Sequence, residues 1–189
     1  MAEPIYPPEH TDRAVAPFLP TIGVIAVESA RLEWALSALA STVLDRPLKK
    51  TLRMSNGDKV EAVEQALETV TATDRRRWAE QITTWATTAG RLLAQRGDLM
   101  HSHWITGDVP TSDDLIRSGK LTAQQAQSAD PTEFINVYSQ RLRSTEPPIM
   151  RTVTDLDEFA RSLRDHAAMY WPTLLAVGHL LGLWSAREQ

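Results

Sequence analysis

The chain has no cysteine in its 189 residues, which excludes disulfides, thiolate metal sites and thiol catalysis together. It also lacks a surplus of positive charge. With 20 Lys and Arg against 24 Asp and Glu its net charge is −4, so it does not attract nucleic acid globally, and any such contact must come from a local patch. The 8 glycines are scattered and form no phosphate-cradling loop. The longest apolar stretch, Trp171 to Trp184, has 14 residues and contains Pro172, Thr173 and His179, too short and too polar to span a bilayer, and no membrane partner is expected. Residues 1–20 carry Pro4, Pro7, Pro8, Pro17 and Pro20 but no basic n-region and no apolar h-region, so neither a signal nor a transit peptide is predicted and a cytoplasmic location is expected.

What is present reads as a helical protein. At 42% apolar residues the composition is that of an ordinary globular chain, and the length suits one core. We expect a flexible Pro-rich arm over 1–20 and a single all-α domain over 21–189, a bundle of four to five helices with a long irregular excursion over 105–150 before the last one. Thr21 is predicted to cap a first helix, on which Leu32, Leu36, Leu39 and Val43 recur at helical spacing until Asp45-Arg46-Pro47 stops it. Ser55 and Asp58 resemble a capping box for a second helix that carries Val60, Val63, Leu67 and Val70 and ends near Thr71. A third helix, begun by Thr73 or Asp74, keeps its period through Trp78, Ile82, Trp85, Ala89 and Leu92 as far as Arg96. The excursion is expected to hold a helix around Thr122–Ala129 and a strand around Phe134–Leu142. Thr154 is predicted to cap the last long helix, with Leu156, Phe159, Leu163, Ala167 and Tyr170 on one stripe, and Pro172 either kinks it or opens a new helix.

One stretch concentrates reactive side chains: Arg96-Gly97-Asp98-Leu99-Met100-His101-Ser102-His103-Trp104 holds a permanent cation, a carboxylate, two imidazoles and an indole. An Arg, four residues, a His, a small residue and then an aromatic resembles the signature of the HEPN superfamily, small all-helical proteins many of which are metal-independent ribonucleases. Gly97 departs from the family pattern, which has a polar side chain there, and Asp98 follows at the next position. On an ideal helix five residues rotate about 140° and advance about 7.5 Å, so Arg96 and His101 would not share a face. Either Gly97 lets the helix distort or end, or two chains assemble one site across a twofold axis, which is what the resemblance implies. His103, seven residues from Arg96, is a rival for the histidine role. Arg161 and His166 repeat the spacing and are read as coincidence.

These residue types suit RNA cleavage by the neighbouring 2'-hydroxyl. A neutral histidine takes the hydroxyl proton and an imidazolium returns one to the leaving oxygen, while an arginine fork stabilises charge on the phosphate. The candidate catalytic set is therefore Arg96, His101, Asp98 and His103, with no metal and no cofactor expected. The structural alternative is that Arg96 closes its helix or pairs with Asp98 while the histidines are hydrogen-bonded packing residues. Arg75, Arg76 and Arg77, and Lys49 and Lys50 with Arg46 and Arg53, are candidate RNA-binding clusters or solvated faces. Trp34, Trp78 and Trp85 are base-stacking candidates, though tryptophans at helical spacing belong more often to a core. Asp113, Asp114, Asp155, Asp157 and Glu158 are assigned to caps and solvated loops rather than to a metal. The resemblance implies a homodimeric endoribonuclease of toxin or phage-defence type. The alternatives are a non-catalytic HEPN-like dimeric interaction module and an antitoxin or regulatory subunit. Expected partners are a second copy, RNA, and an antitoxin or nucleotidyltransferase-like protein.

Overall fold

A computed structural model describes residues 14–70, 73–107, 110–129, 135–141, 145 and 147–181. After a 3-10 turn at Ala16–Phe18 come α1 (Leu19–Val43), α2 (Leu48–Thr51), α3 (Asn56–Glu68), α4 (Thr73–Met100), β1 (Ser102–Thr106), α5 (Ser112–Arg117), α6 (Ala123–Ala126), β2 (Val137–Arg141), β3 (Ile149–Arg151), α7 (Val153–Ala168) and α8 (Tyr170–Leu180). The protein is thus mostly helical, and none of the described helices is long and apolar enough to cross a membrane. The chain divides into two compact units, one bounded by Val24–Gly97 with Glu158–Gln189 and the other by Met1–Gly23 with Asp98–Asp157.

The first unit is helical, and its core follows the apolar periodicity of the chain. Leu32, Leu36 and Leu39 are fully buried on α1 beside Ala35 and Ala40. Each leucine contributes roughly 1.5–3 kcal/mol of transfer free energy. Asp45 ends this run by taking φ 48°, a left-handed conformation that aspartate tolerates better than most residues. α3 starts from the expected capping box, in which Asp58 N–H donates to Ser55 Oγ (3.1 Å) and Ser55 N–H to Asp58 Oδ2 (3.3 Å). It ends at Glu68, before the expected boundary near Thr71, which lies outside the described residues. On α4, Ile82, Trp85, Ala89 and Leu92 are buried as their spacing predicts. α3 comes close to α4 at Gly90, where an added Cβ would lie 2.7 Å from Val60 Cγ2. Pro172 occupies the first turn of the separate helix α8, where a missing N–H costs no hydrogen bond.

The second unit holds an antiparallel sheet in the order β1-β2-β3. Ser102 pairs with Arg141 and Thr106 with Val137, and on the other side Val137 pairs with Arg151. Val137 and Ser139 are buried on β2, and Arg151 Nε donates to Ser139 Oγ (2.8 Å). The Phe18 ring lies 5.7 Å from Trp104.

Four expectations change here. The span expected to be irregular, 105–150, holds the end of β1, all of β2, most of β3 and two helices with side-chain caps, Thr111 with Asp114 and Thr122 with Gln125. Its expected helix is α6 and its expected strand is β2, both shorter than anticipated. Thr21 does not cap α1. The helix starts at Leu19 with Pro20 in its first turn, and Thr21 Oγ1 instead donates to Asp157 Oδ1 (2.7 Å). Thr154 is not the cap of α7 either, because Asp155 N–H donates to Thr152 Oγ1 (3.1 Å) and Thr152 N–H to Asp155 Oδ2 (2.8 Å). The beginning of the expected N-terminal arm, residues 1–13, and Trp184 lie outside the described residues.

Candidate active site

The Arg-x4-His motif begins on a helix and ends off it. α4 runs through Gly97 to Met100, His101 stands in the following turn, and β1 opens at Ser102. The 140° rotation of an ideal helix therefore does not describe the path from Arg96 to His101, and the break comes after Met100 rather than at Gly97. Gly97 has neither a left-handed φ nor any atom within 4 Å of the Cβ it lacks. The fold does not require glycine at this position.

Arg96 is half-buried on the penultimate turn of α4, and its Nε is buried with no hydrogen-bond partner among the described residues. A buried donor left unpaired costs about 1–3 kcal/mol, and such groups in native proteins need a reason. His101 is exposed. Asp98 is exposed on the last turn, and its carbonyl accepts from Ser102 Oγ (2.5 Å), which closes the helix against the strand. His103 is on β1 opposite Gln140, and its side chain lies outside the described residues. The boundary between the units falls between Gly97 and Asp98, so the arginine is placed by the helical unit and the histidines by the sheet unit.

The second spacing of five, Arg161 to His166, belongs to packing. His166 stacks on Trp85 with centroids 5.1 Å apart and planes 14° apart. Trp85 Nε1 donates to the His166 carbonyl (3.1 Å), and His166 Nε2 meets the Trp85 carbonyl at 2.9 Å. A carbonyl only accepts, so Nε2 carries the proton. Burial holds the His166 imidazole below its ordinary pKa, partly offset by the Trp85 carbonyl and reinforced by the nearby Arg91 charge.

The basic clusters are exposed on separate elements. Lys49 and Lys50 are on α2, and Arg75, Arg76 and Arg77 open α4. Arg76 pairs with Glu80 (3.2 Å), and the Arg77 guanidinium lies 5.8 Å from the Trp78 ring centroid, which itself stacks on His179 at 4.7 Å. Arg75 lines a groove of about 400 Å³ with Val43, Leu67, Val70 and Leu180. Asp114 and Asp155 serve as caps. Hydrogen bonds from Thr111 and Thr152 hold their carboxyls below the ordinary carboxylate range.

Two features are not legible from motif spacing. Lys59 is fully buried on α3, its ammonium donating to Asn56 Oδ1 (3.0 Å) with Glu33 at 3.9 Å, and desolvation lowers its pKa against the raising effect of Glu33. Of the three tryptophans assigned to a core, Trp85 is buried and Trp78 half-buried, but Trp34 is 53% exposed. No protein-family model, no curated protein and no solved structure matches this chain.

Proposed function

We propose that the protein is a metal-independent endoribonuclease of toxin or phage-defence type, acting as a HEPN-like homodimer. The observation that carries this reading is the Arg96 guanidinium, whose buried Nε has no hydrogen-bond partner among the described residues, at the position where the Arg-x4-His resemblance asks for a phosphate-binding cation. A phosphate oxygen would pair with the guanidinium of this half-buried side chain. In the proposed step His101 accepts the 2'-hydroxyl proton, the 2'-oxygen bonds to the adjacent phosphorus, and the bond to the 5'-oxygen breaks. The imidazolium so formed returns the proton to that oxygen, leaving a 2',3'-cyclic phosphate. Arg96 stabilises the charge on the non-bridging oxygens, and Asp98 stands in for the polar residue missing at Gly97.

The test is cleavage of single-stranded RNA in excess EDTA with the product ends mapped. Cyclic or 3'-phosphate ends, and a loss of about 100-fold or more in Arg96→Ala, the usual scale for an oxyanion partner, support the reading. Inhibition by EDTA, or full activity in Arg96→Ala, refutes it. Gly97 favours a second reading, a non-catalytic dimeric interaction module or antitoxin-like subunit, since the polar side chain is absent from a position with room for one. Under that reading no RNA is cut, and the exposed Trp171 and Leu175 of α8 hold a partner protein.

A further inference from the structure

In the helical unit, two exposed tryptophans stand on a shared support. Trp34 on α1 is 53% exposed and Trp171 on α8 is 68% exposed, yet both rings are braced by the buried Tyr170, whose centroid lies 6.0 Å from Trp34, edge-on, and 5.7 Å from Trp171. Large indoles left in water are informative because burial is their favourable state. Fixing each ring against a third one removes the entropy that a ligand would otherwise have to freeze out.

A pair of fixed cations stands on α1 and α7 of the same unit. Glu28, a buried carboxylate of α1, holds Arg31 through Nη1 at 3.2 Å and 3.3 Å and Arg164 of α7 through Nε at 3.3 Å. Both guanidiniums remain largely exposed, so most of their donors face solvent while one buried anion sets their position. On α1, Arg31 and Trp34 are three residues apart and point within about 60° of each other, whereas Glu33 is turned about 160° from Arg31, towards Lys59. The exposed Arg161 lies one turn before Arg164 on α7.

We propose that this surface binds single-stranded RNA, with Trp34 and Trp171 stacking on bases and Arg31 and Arg164 contacting phosphates. Exposed indoles and exposed guanidiniums on one helical unit suit the bases and phosphates of an unpaired strand. A duplex hides its base faces, and an apolar protein surface would leave the two cations unmatched. The inference takes RNA as the ligand from the proposed function but concerns a site separate from Arg96 and His101, and binding is measured apart from cleavage.

The experiment is fluorescence anisotropy with the full chain and a labelled 2'-O-methyl oligouridine of about fifteen nucleotides, within the usual site size for such surfaces and unable to undergo 2'-hydroxyl cleavage. Trp34→Ala and Trp171→Ala are each expected to weaken binding about tenfold, Trp34→Phe and Trp171→Phe to retain most of it, and Arg31→Gln and Arg164→Gln each to flatten the salt dependence by the equivalent of about one phosphate contact. Lys120→Gln, at an exposed lysine that belongs to neither site, should leave this binding intact, and binding without cleavage would count against the proposed enzyme alone. The inference is overturned if the oligonucleotide does not bind, if the alanine variants bind as well as the parent, or if light scattering shows that they change only the association state.

Discussion

Two glycines seven residues apart on α4 should respond in opposite senses to the same substitution. Replacing a helical glycine by alanine gains about 0.8–1 kcal/mol, because alanine loses less backbone entropy on folding. Gly97 has nothing within 4 Å of its absent Cβ, so Gly97→Ala is expected to realise that gain in full. At Gly90 the new methyl would meet Val60 Cγ2 at 2.7 Å, with Val60 Cβ at 3.8 Å behind it. The Val60 side chain is short and β-branched, so relief requires a disfavoured rotamer or a shift of α3, and overpacking of this kind costs about 1–3 kcal/mol. The net for Gly90→Ala is destabilisation of up to about 2 kcal/mol, after subtracting the propensity gain. Thermal melts should then move apart by several degrees, at about 2–4 °C per kcal/mol for a chain of this size. In a Val60→Ala background, Gly90→Ala should recover the behaviour of Gly97→Ala. If Gly90→Ala stabilises the parent as much as Gly97→Ala does, the close approach of α3 and α4 at this point is wrong.

The His166 imidazole, held below its ordinary pKa by burial, binds its proton more readily in the unfolded chain than in the folded one. Its contribution to stability is therefore complete above about pH 6.5 and lost as the pH falls towards the lowered folded value, so the melting temperature should decline from pH 7 to pH 5 and His166→Asn should flatten that decline. An equally steep decline in the variant would remove His166 as the cause. Lys59→Met replaces a buried ammonium by an apolar chain of similar length and is expected to stay within about 1.5 kcal/mol of the parent or exceed it, whereas Lys59→Ala opens a cavity and should cost about 2–4 kcal/mol in urea melts. Equal losses in both would mean that the contact to Asn56, rather than the filled volume, matters most.

Helices were legible where one apolar stripe and a short-range cap coincided, as in Leu32, Leu36 and Leu39 or in Ser55 with Asp58. The cap of α7 was ambiguous because Thr152 and Thr154 each precede an aspartate by three residues. The ladder of β3 ends at Arg151, so the helix begins as soon as strand pairing stops, which selects Thr152. Strand β1 was hidden because its partners lie 31 to 39 residues away, from Thr106 with Val137 to Ser102 with Arg141, and its pairing is decided by cross-strand neighbours rather than by local propensity. Trp34 belongs to a second stripe of α1, with Val27, that helical spacing alone cannot distinguish from the core stripe. Lys59 was invisible for the opposite reason: a lysine reads as solvated until the fold encloses it. For the candidate site, the motif and the helix leading into it were readable, while the exit from the helix before His101 depends on that hidden strand.

The central claim, that the Arg-x4-His motif cleaves RNA, is tested most directly by single-turnover cleavage with the parent chain, His101→Ala and His103→Ala under identical conditions. The account predicts that the parent cuts single-stranded RNA, that His101→Ala loses about 100-fold or more, the scale of a general base, and that His103→Ala changes the rate far less. No cleavage by the parent, or loss in His103→Ala with full activity in His101→Ala, would contradict it.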